Sequence, residues 1–205
     1  MILAIDTSAG TSVALVSDGV VLSSHSVADS MRHAEVVGVL IDAVLRESQV
    51  SPAHITGVAA GMGPGPFTGL RVGIAAAETF ALGIEAPLLP LASHDAIAAA
   101  VFAEEASSHI RVVTDARRKE VFWSQYSGID AAGIPIRNAG PALSKPDELP
   151  ATSAHRIDAT EVPAAWLAVI AERMVQANRE FLPAEALYLR SPDVTMSKGP
   201  KRVVQ

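Results

Sequence analysis

An α/β fold, with mixed sheets flanked by helices and divided into a larger first lobe and a reduced second one, is what this sequence of 205 residues predicts. Two patterns and the composition carry the prediction. The chain opens as a meander of short apolar runs broken by turns, then switches to alternating helical and strand periodicities. From about residue 95 the helix–strand pattern recurs in shortened form, so that residues 1–102 and 103–205 read as two unequal lobes. Finally, 49% of the residues are hydrophobic and 19% charged, enough apolar surface for a chain of this length to bury a core.

The opening run, Ile2 to Asp6, ends in a carboxylate, and a second run follows at Val13, Ala14, Leu15 and Val16. Asp18-Gly19 then separates that run from Val20-Val21-Leu22, the pairing expected of a tight hairpin turn. Three antiparallel strands result. Val36, Val37, Leu40, Ile41, Val44 and Leu45 recur at helical spacing, which predicts a helix over 33–47. A buried strand is expected over 55–60, a stiff loop over 61–66, a second helix over 70–82, and a short strand over 88–91. In the second lobe a helix over 95–105 precedes strands over 111–114 and 120–126. Residues 128–160 are rich in Pro, Gly, Ala and Ser and read as loops with one short strand. Pro163 suits the first turn of a helix through Trp166, Leu167, Ile170 and Met174 that ends before Pro183, and the tail after Arg190 reads as irregular.

Composition excludes several classes of function. The chain has no cysteine, so disulfides, thiolate metal sites and thiol nucleophiles are ruled out. A formal net charge of -6 argues against gripping a phosphate backbone unaided. The first residues lack the basic region of a secretory signal, and no apolar run has bilayer length, so a cytoplasmic protein without membrane contact is expected. The six histidines show no metal-ligand spacing, and no G-x-S-x-G elbow surrounds a serine.

Three motifs remain. Asp6-Thr7-Ser8 places a carboxylate and hydroxyls at a turn between two strands. In the fold of actin, Hsp70 and the sugar kinases, such an acidic residue approaches metal and nucleotide phosphates. Here Thr7, Ser8 and Ala9 stand where close backbone approach favours glycine, so weak cofactor contact and a simple capped strand end both fit. The second motif, 61–73, runs from Gly61 through Gly63-Pro64-Gly65-Pro66 to Gly73 and joins a strand to a helix start, with Thr68 as candidate N-cap. The helix after it is apolar nearly all round, with small-residue rows at Gly69, Gly73, Ala76 and Ala77. Those rows admit a neighbouring helix, either the one over 36–45 or one from another chain. The third, Asp115-Ala116-Arg117-Arg118-Lys119-Glu120-Val121-Phe122-Trp123, is a basic turn between strands, fit for a solvated hairpin or for contact with RNA or an acidic protein surface.

In order and spacing these motifs, with Tyr188-Leu189-Arg190, resemble the TsaB/YeaZ family. The resemblance covers residues 1 to about 126 well and the rest in patches. Pro66 stands where the family usually has Ser, and the stretch between Tyr126 and Trp166 is short. The catalytic paralogue TsaD carries a His-x-x-x-His metal pair at the positions held here by Ser93 and Ile97, and His94 then reads as a helix-start residue beside a Ser93 cap.

The resemblance implies a two-lobed actin/Hsp70/sugar-kinase-like fold and a subunit with no active site, metal or cofactor of its own. It would bind TsaD through Val36, Val37, Leu40, Ile41, Val44, Leu70, Gly73, Ile74, Ala77 and Phe80. ATP and metal would sit on partner subunits, a TsaE-type ATPase would join the pair, and tRNA would be met indirectly, for threonylcarbamoyl transfer to the adenosine beside the anticodon. The isolated chain could pair with itself through the same helices. The alternative is an ATP-dependent kinase or ATPase of the same fold using Asp6; a metallopeptidase lacks its histidine pair.

Overall fold

A computed structural model describes residues 1–28, 32–104 and 109–190. Strands β1 (Ile2–Asp6), β2 (Thr11–Ser17) and β3 (Val20–Val27) form the expected meander, with Asp18 and Gly19 both at positive φ in its second turn. Helix α1 (His33–Ser48) leads to β4 (Gly57–Gly61), α2 (Phe67–Gly83) and β5 (Leu88–Leu91). These strands make one sheet in the order β3-β2-β1-β4-β5, antiparallel on the meander side and parallel from β1 to β5. The second sheet, β8-β7-β6-β9, contains β6 (Ile110–Asp115), β7 (Val121–Ile129), β8 (Pro135–Ser144) and β9 (His155–Ala159). Helices α3 (Ser93–Glu104) and α4 (Ala164–Gln176) complete the described elements.

Because β1 is buried on both faces, its alternate side chains feed two cores. Leu3 and Ile5 join Val13, Leu15 and Val58 beneath α1 and α2. Ile2 and Ala4 face the opposite way, onto the layer made by α3 and α4. Ala4 lies beside Ala14 on one neighbouring strand and Ala59 on the other, a row of small side chains that lets Leu167, Ala168 and Ala171 of α4 approach closely. Much of the alanine richness of the sequence is used in this layer. The other side of α3 and α4 carries the second sheet through Ile110, Val112 and Tyr126. Residue 102 therefore falls within α3, and α4, although late in the chain, packs on β1 and β2 of the first sheet.

The expectation of loops over 128–160 is corrected: β7 runs on to Ile129, and β8 adds ten residues. β8 is an edge strand with half-buried residues and an internal Gly140-Pro141, so it carries no apolar alternation to read. A legible signal was Asp130, whose carboxylate accepts from the amides of Ala132 (2.9 Å) and Ile134 (3.0 Å) and shapes the β7–β8 turn at Gly133. α4 stops at Gln176, and residues 177–190 cross back over the first lobe. The Leu182 amide donates to Pro90 and that of Leu187 to Met62. Glu105, the expected end of α3, and the tail after Arg190 lie outside the described residues.

Candidate functional site: a closed turn and an exposed helical groove

The carboxylate at the end of β1 is enclosed. Asp6 is 1% exposed; its Oδ1 accepts from the Ser8 amide (2.8 Å) and the Ser8 hydroxyl (2.6 Å), and its Oδ2 accepts from the Ser93 hydroxyl at 2.5 Å. Ser93 Oγ in turn accepts from the Gly63 amide at 3.1 Å. Gly61 sits against the other side, where an added Cβ would overlap Asp6 Oδ2. Burial pushes the carboxyl above its ordinary range, while the bonds from Ser8 and Ser93 and the nearby His33 pull it back. Thr7 is equally committed: its hydroxyl donates to the Gly69 carbonyl at 2.7 Å. Ser8 packs on Gly65, with 2.7 Å between its Cβ and a Cβ placed there. All three weak cofactor candidates thus spend their polar groups on the chain's own backbone and side chains.

These contacts also explain the small-residue row on α2. The side of Gly69 and Gly73 receives Thr7 of the β1–β2 turn together with the first residue of α1: a Cβ on Gly73 would overlap Thr7 Oγ1, and one on Gly69 would lie 2.7 Å from the Thr7 carbonyl and 3.0 Å from His33 Nε2. Thr68 does not cap α2. It lies within the helix, Pro66 is the N-cap residue, and no cap hydrogen bond forms there. Ser93 does not cap α3 either, because its hydroxyl is directed at Asp6. Ile97, the other position of the absent histidine pair, is 4% exposed in the core.

The ten residues expected on the docking face divide unevenly. Val37, Leu40, Val44, Leu70, Ile74 and Ala77 are buried against the chain's own first sheet, and Gly73 is buried against Thr7. The apolar stripe that reveals a helix is the stripe its own sheet covers, and these residues offer little surface to a partner. Val36, Ile41 and Phe80 are half-buried and reach the surface. Outward on the two helices the stripe marks nothing: Val39 of α1 is 64% exposed and Leu82 of α2 81%, and Ala75, Thr79 and Gly83 of α2 are exposed as well. Between α1 and α2 runs an open groove of about 650 Å³ floored by Ile41, Ala76, Phe80 and Ile84. Apolar residues off the buried stripe, Ile41 on α1 and Ala75 and Phe80 on α2, were the signal that could have located it.

The basic turn joins β6 to β7 with Arg117, Arg118 and Lys119 at φ of 64, 54 and 62°, three consecutive residues in the left-handed region. The Asp115 carboxylate accepts the Arg117 amide at 2.8 Å. Across a cleft of about 480 Å³ this turn faces Phe67 and Tyr188, whose ring centroids are 4.9 Å apart. The guanidinium of Arg71 lies 4.0 Å from the centroid of the Phe67 ring and donates to the Tyr188 hydroxyl. Arg190 pairs with Glu120, so the 177–190 segment joins the first lobe to this turn.

His94 is fully buried, with Nδ1 2.9 Å from Ser124 Oγ and Nε2 2.9 Å from Thr114 Oγ1. Burial, with the nearby Arg137 charge, lowers its pKa to about 3. It stands in the first turn of α3, as expected, and is a neutral bridge from there to β6 and β7. Beside it the Tyr126 hydroxyl donates to Asp95 at 2.7 Å, and Asp95 is raised above its ordinary value by burial. No helix is long and apolar enough to cross a membrane among the described residues.

The family model for TsaD, tRNA N6-adenosine threonylcarbamoyltransferase, matches residues 25–165. An uncharacterized protein of Mycobacterium tuberculosis is 36% identical over 152 residues, 70% of each chain. The tRNA threonylcarbamoyladenosine biosynthesis protein TsaB of Escherichia coli is 29% identical over 199 residues, 97% of this chain and 76% of that one. A crystal structure from Pseudomonas aeruginosa, described as an uncharacterized protein with similarity to peptidase YEAZ, superposes with a TM-score of 0.79. It is 25% identical, over 92% of this chain and 99% of that one. The two sheets with their shared helical layer are accordingly an actin/Hsp70/sugar-kinase-like architecture, and the chain belongs to the TsaD family, within its TsaB/YeaZ group.

Proposed function

We propose that this chain is a non-catalytic subunit in tRNA threonylcarbamoyladenosine biosynthesis, docking a TsaD-type transferase and holding it in its active conformation. The exposed apolar groove between α1 and α2 carries the reading. Val39 and Leu82 stand in water at 64% and 81% exposure, and covering each one favours association by roughly 1–2 kcal/mol. The partner meets the surfaces of Val36, Ile41 and Phe80, while the seven buried residues shape the helices from beneath. The enclosed Asp6 supports a role without a nucleotide of its own, since a phosphate or metal would have to displace Ser8 and Ser93 to reach it. ATP and metal then belong to the transferase and to a TsaE-type ATPase, tRNA is met through the assembly in the cytoplasm, and the same groove serves self-pairing when the partner is absent.

The test is reconstitution. A TsaD-type transferase is supplied with threonylcarbamoyl-adenylate, tRNA and the ATPase, with and without this chain, and modified adenosine is counted. Turnover that depends on the chain supports the proposal. Equal turnover in its absence, or tRNA modification by the chain alone, would overturn it.

A further inference from the structure

Among the described residues, neither helix flanking the groove carries a side-chain cap. Arg32 precedes α1 and Pro66 precedes α2, and no side-chain cap hydrogen bond forms at either. Both first turns are instead tied to one place, the β1–β2 turn. At α2, Thr7 Oγ1 donates to the Gly69 carbonyl at 2.7 Å and fills the space left open by Gly73, one turn further on. At α1, the first residue is His33, whose Nδ1 is hydrogen-bonded to Thr11 Oγ1 at 2.8 Å. The far side of that imidazole lies over α2, with Nε2 3.0 Å from where a Cβ on Gly69 would stand. Thr7, Thr11 and His33 are 2%, 1% and 7% exposed, so the junction is closed to solvent. The groove lies farther along both helices: Ile41 is two turns from His33, and Phe80 is thirteen residues, about 20 Å, from the start of α2. A small tilt at the pivot becomes a larger displacement at the groove.

We propose that the Thr7–Gly69–His33 junction sets the relative placement of α1 and α2, and that Thr7 is a positioning residue for the protein that docks in the groove. This rests on the docking function proposed above. A side chain at Gly73 would push α2 off the turn, and loss of the Thr7 hydroxyl frees its first turn; either changes the width between Ile41 and Phe80 without altering a residue that a partner touches.

Two readouts separate the junction from the docking reading. The chain has no cysteine, so spin labels introduced through Val39→Cys and Thr79→Cys report the α1–α2 distance in the isolated protein. Affinity for a TsaD-type transferase is measured separately on chains without the labels. Thr7→Val is expected to shift or broaden the label distance by 2 Å or more and to weaken binding at least tenfold. Thr7→Ser, which keeps the hydroxyl, is expected to preserve both. Val113→Ala, a core change in the second sheet, supplies a control of reduced stability that leaves both readouts at the wild-type value. An unchanged label distance in Thr7→Val, or an equal effect in the control, overturns the proposal. If Thr7→Val fails to fold, Thr11→Val, which removes only the bond to His33, is read the same way. A wild-type chain with no affinity for the transferase would strike the docking reading alone, because the label distances still decide the junction.

Discussion

The β1–β2 turn and the outer face of α1 and α2 are built from different residue types and end in opposite states. At the turn, small and hydroxyl residues interlock until every side-chain oxygen of Asp6, Thr7 and Ser8 has an internal partner. On the helices, apolar residues that complete no internal contact are left in water. In a fold of this kind one expects the cleft to be open and the helix backs to be polar. Under the proposed function the work of this chain lies on that surface, and the closed turn is part of the scaffold that holds the surface in shape.

Glycines at the two regions separate the closed turn from the open face most strongly. Gly61→Ala drives a Cβ into the Asp6 carboxylate from a buried central strand, and should cost about 3 kcal/mol or leave the chain unfolded in a thermal melt. A melt within a degree of wild type would mean that the site is looser than its distances indicate. Asp6→Ala strands three donors, the Ser8 amide and hydroxyl and the Ser93 hydroxyl, and should cost about 2 kcal/mol in urea unfolding. A nucleotide-binding role for Asp6 predicts the reverse signature, a variant of unchanged stability that has lost magnesium-ATP binding.

The buried His94 gives the closed region a pH dependence. Its folded pKa of about 3 lies below the ordinary 6.5, so between those values the unfolded chain binds the proton and the folded chain does not. The stabilisation is complete above pH 6.5 and is lost as pH falls toward 3. From pH 6 to pH 5 it should decline by about 1.2 kcal/mol. His94→Gln should lack that component, which makes the difference between the two urea-midpoint profiles the measurement. Asp6 and Asp95, both raised by burial, remain in each protein and cancel. On the open side, Gly38 in α1 has no heavy atom within 4 Å of an added Cβ, and Gly38→Ala should stabilise the chain by about 0.5–1 kcal/mol. A loss of stability there would show that the outer face of α1 is covered within the chain.

Much of the fold was legible because β1 to β5, α1 and α2 have strong periodicities bounded by Gly and Pro. Asp18-Gly19 supplied the hairpin at positive φ that its residue types favour. β8 was not legible, since an edge strand of half-buried residues shows neither alternation nor an apolar run. The candidate site was legible in location but not in orientation. Periodicity finds the face of a helix that is buried, and for Leu40, Ile74 and Ala77 the covering surface is the chain's own sheet. The purpose of Gly69 and Gly73 was also hidden, because the group they admit, Thr7, is more than sixty residues away in sequence.

Ala75 is the decisive position for docking, because it is exposed on the outer face of α2 and lines the groove without entering the core. Titration of a TsaD-type transferase with the wild-type chain and with Ala75→Arg compares affinity, while a thermal melt checks the fold. The expected result is a tight wild-type complex, at least a hundredfold loss of affinity in the variant and a melt unchanged within about 0.5 kcal/mol. Wild-type affinity in Ala75→Arg would contradict the central claim that this chain works through the open groove of its two helices.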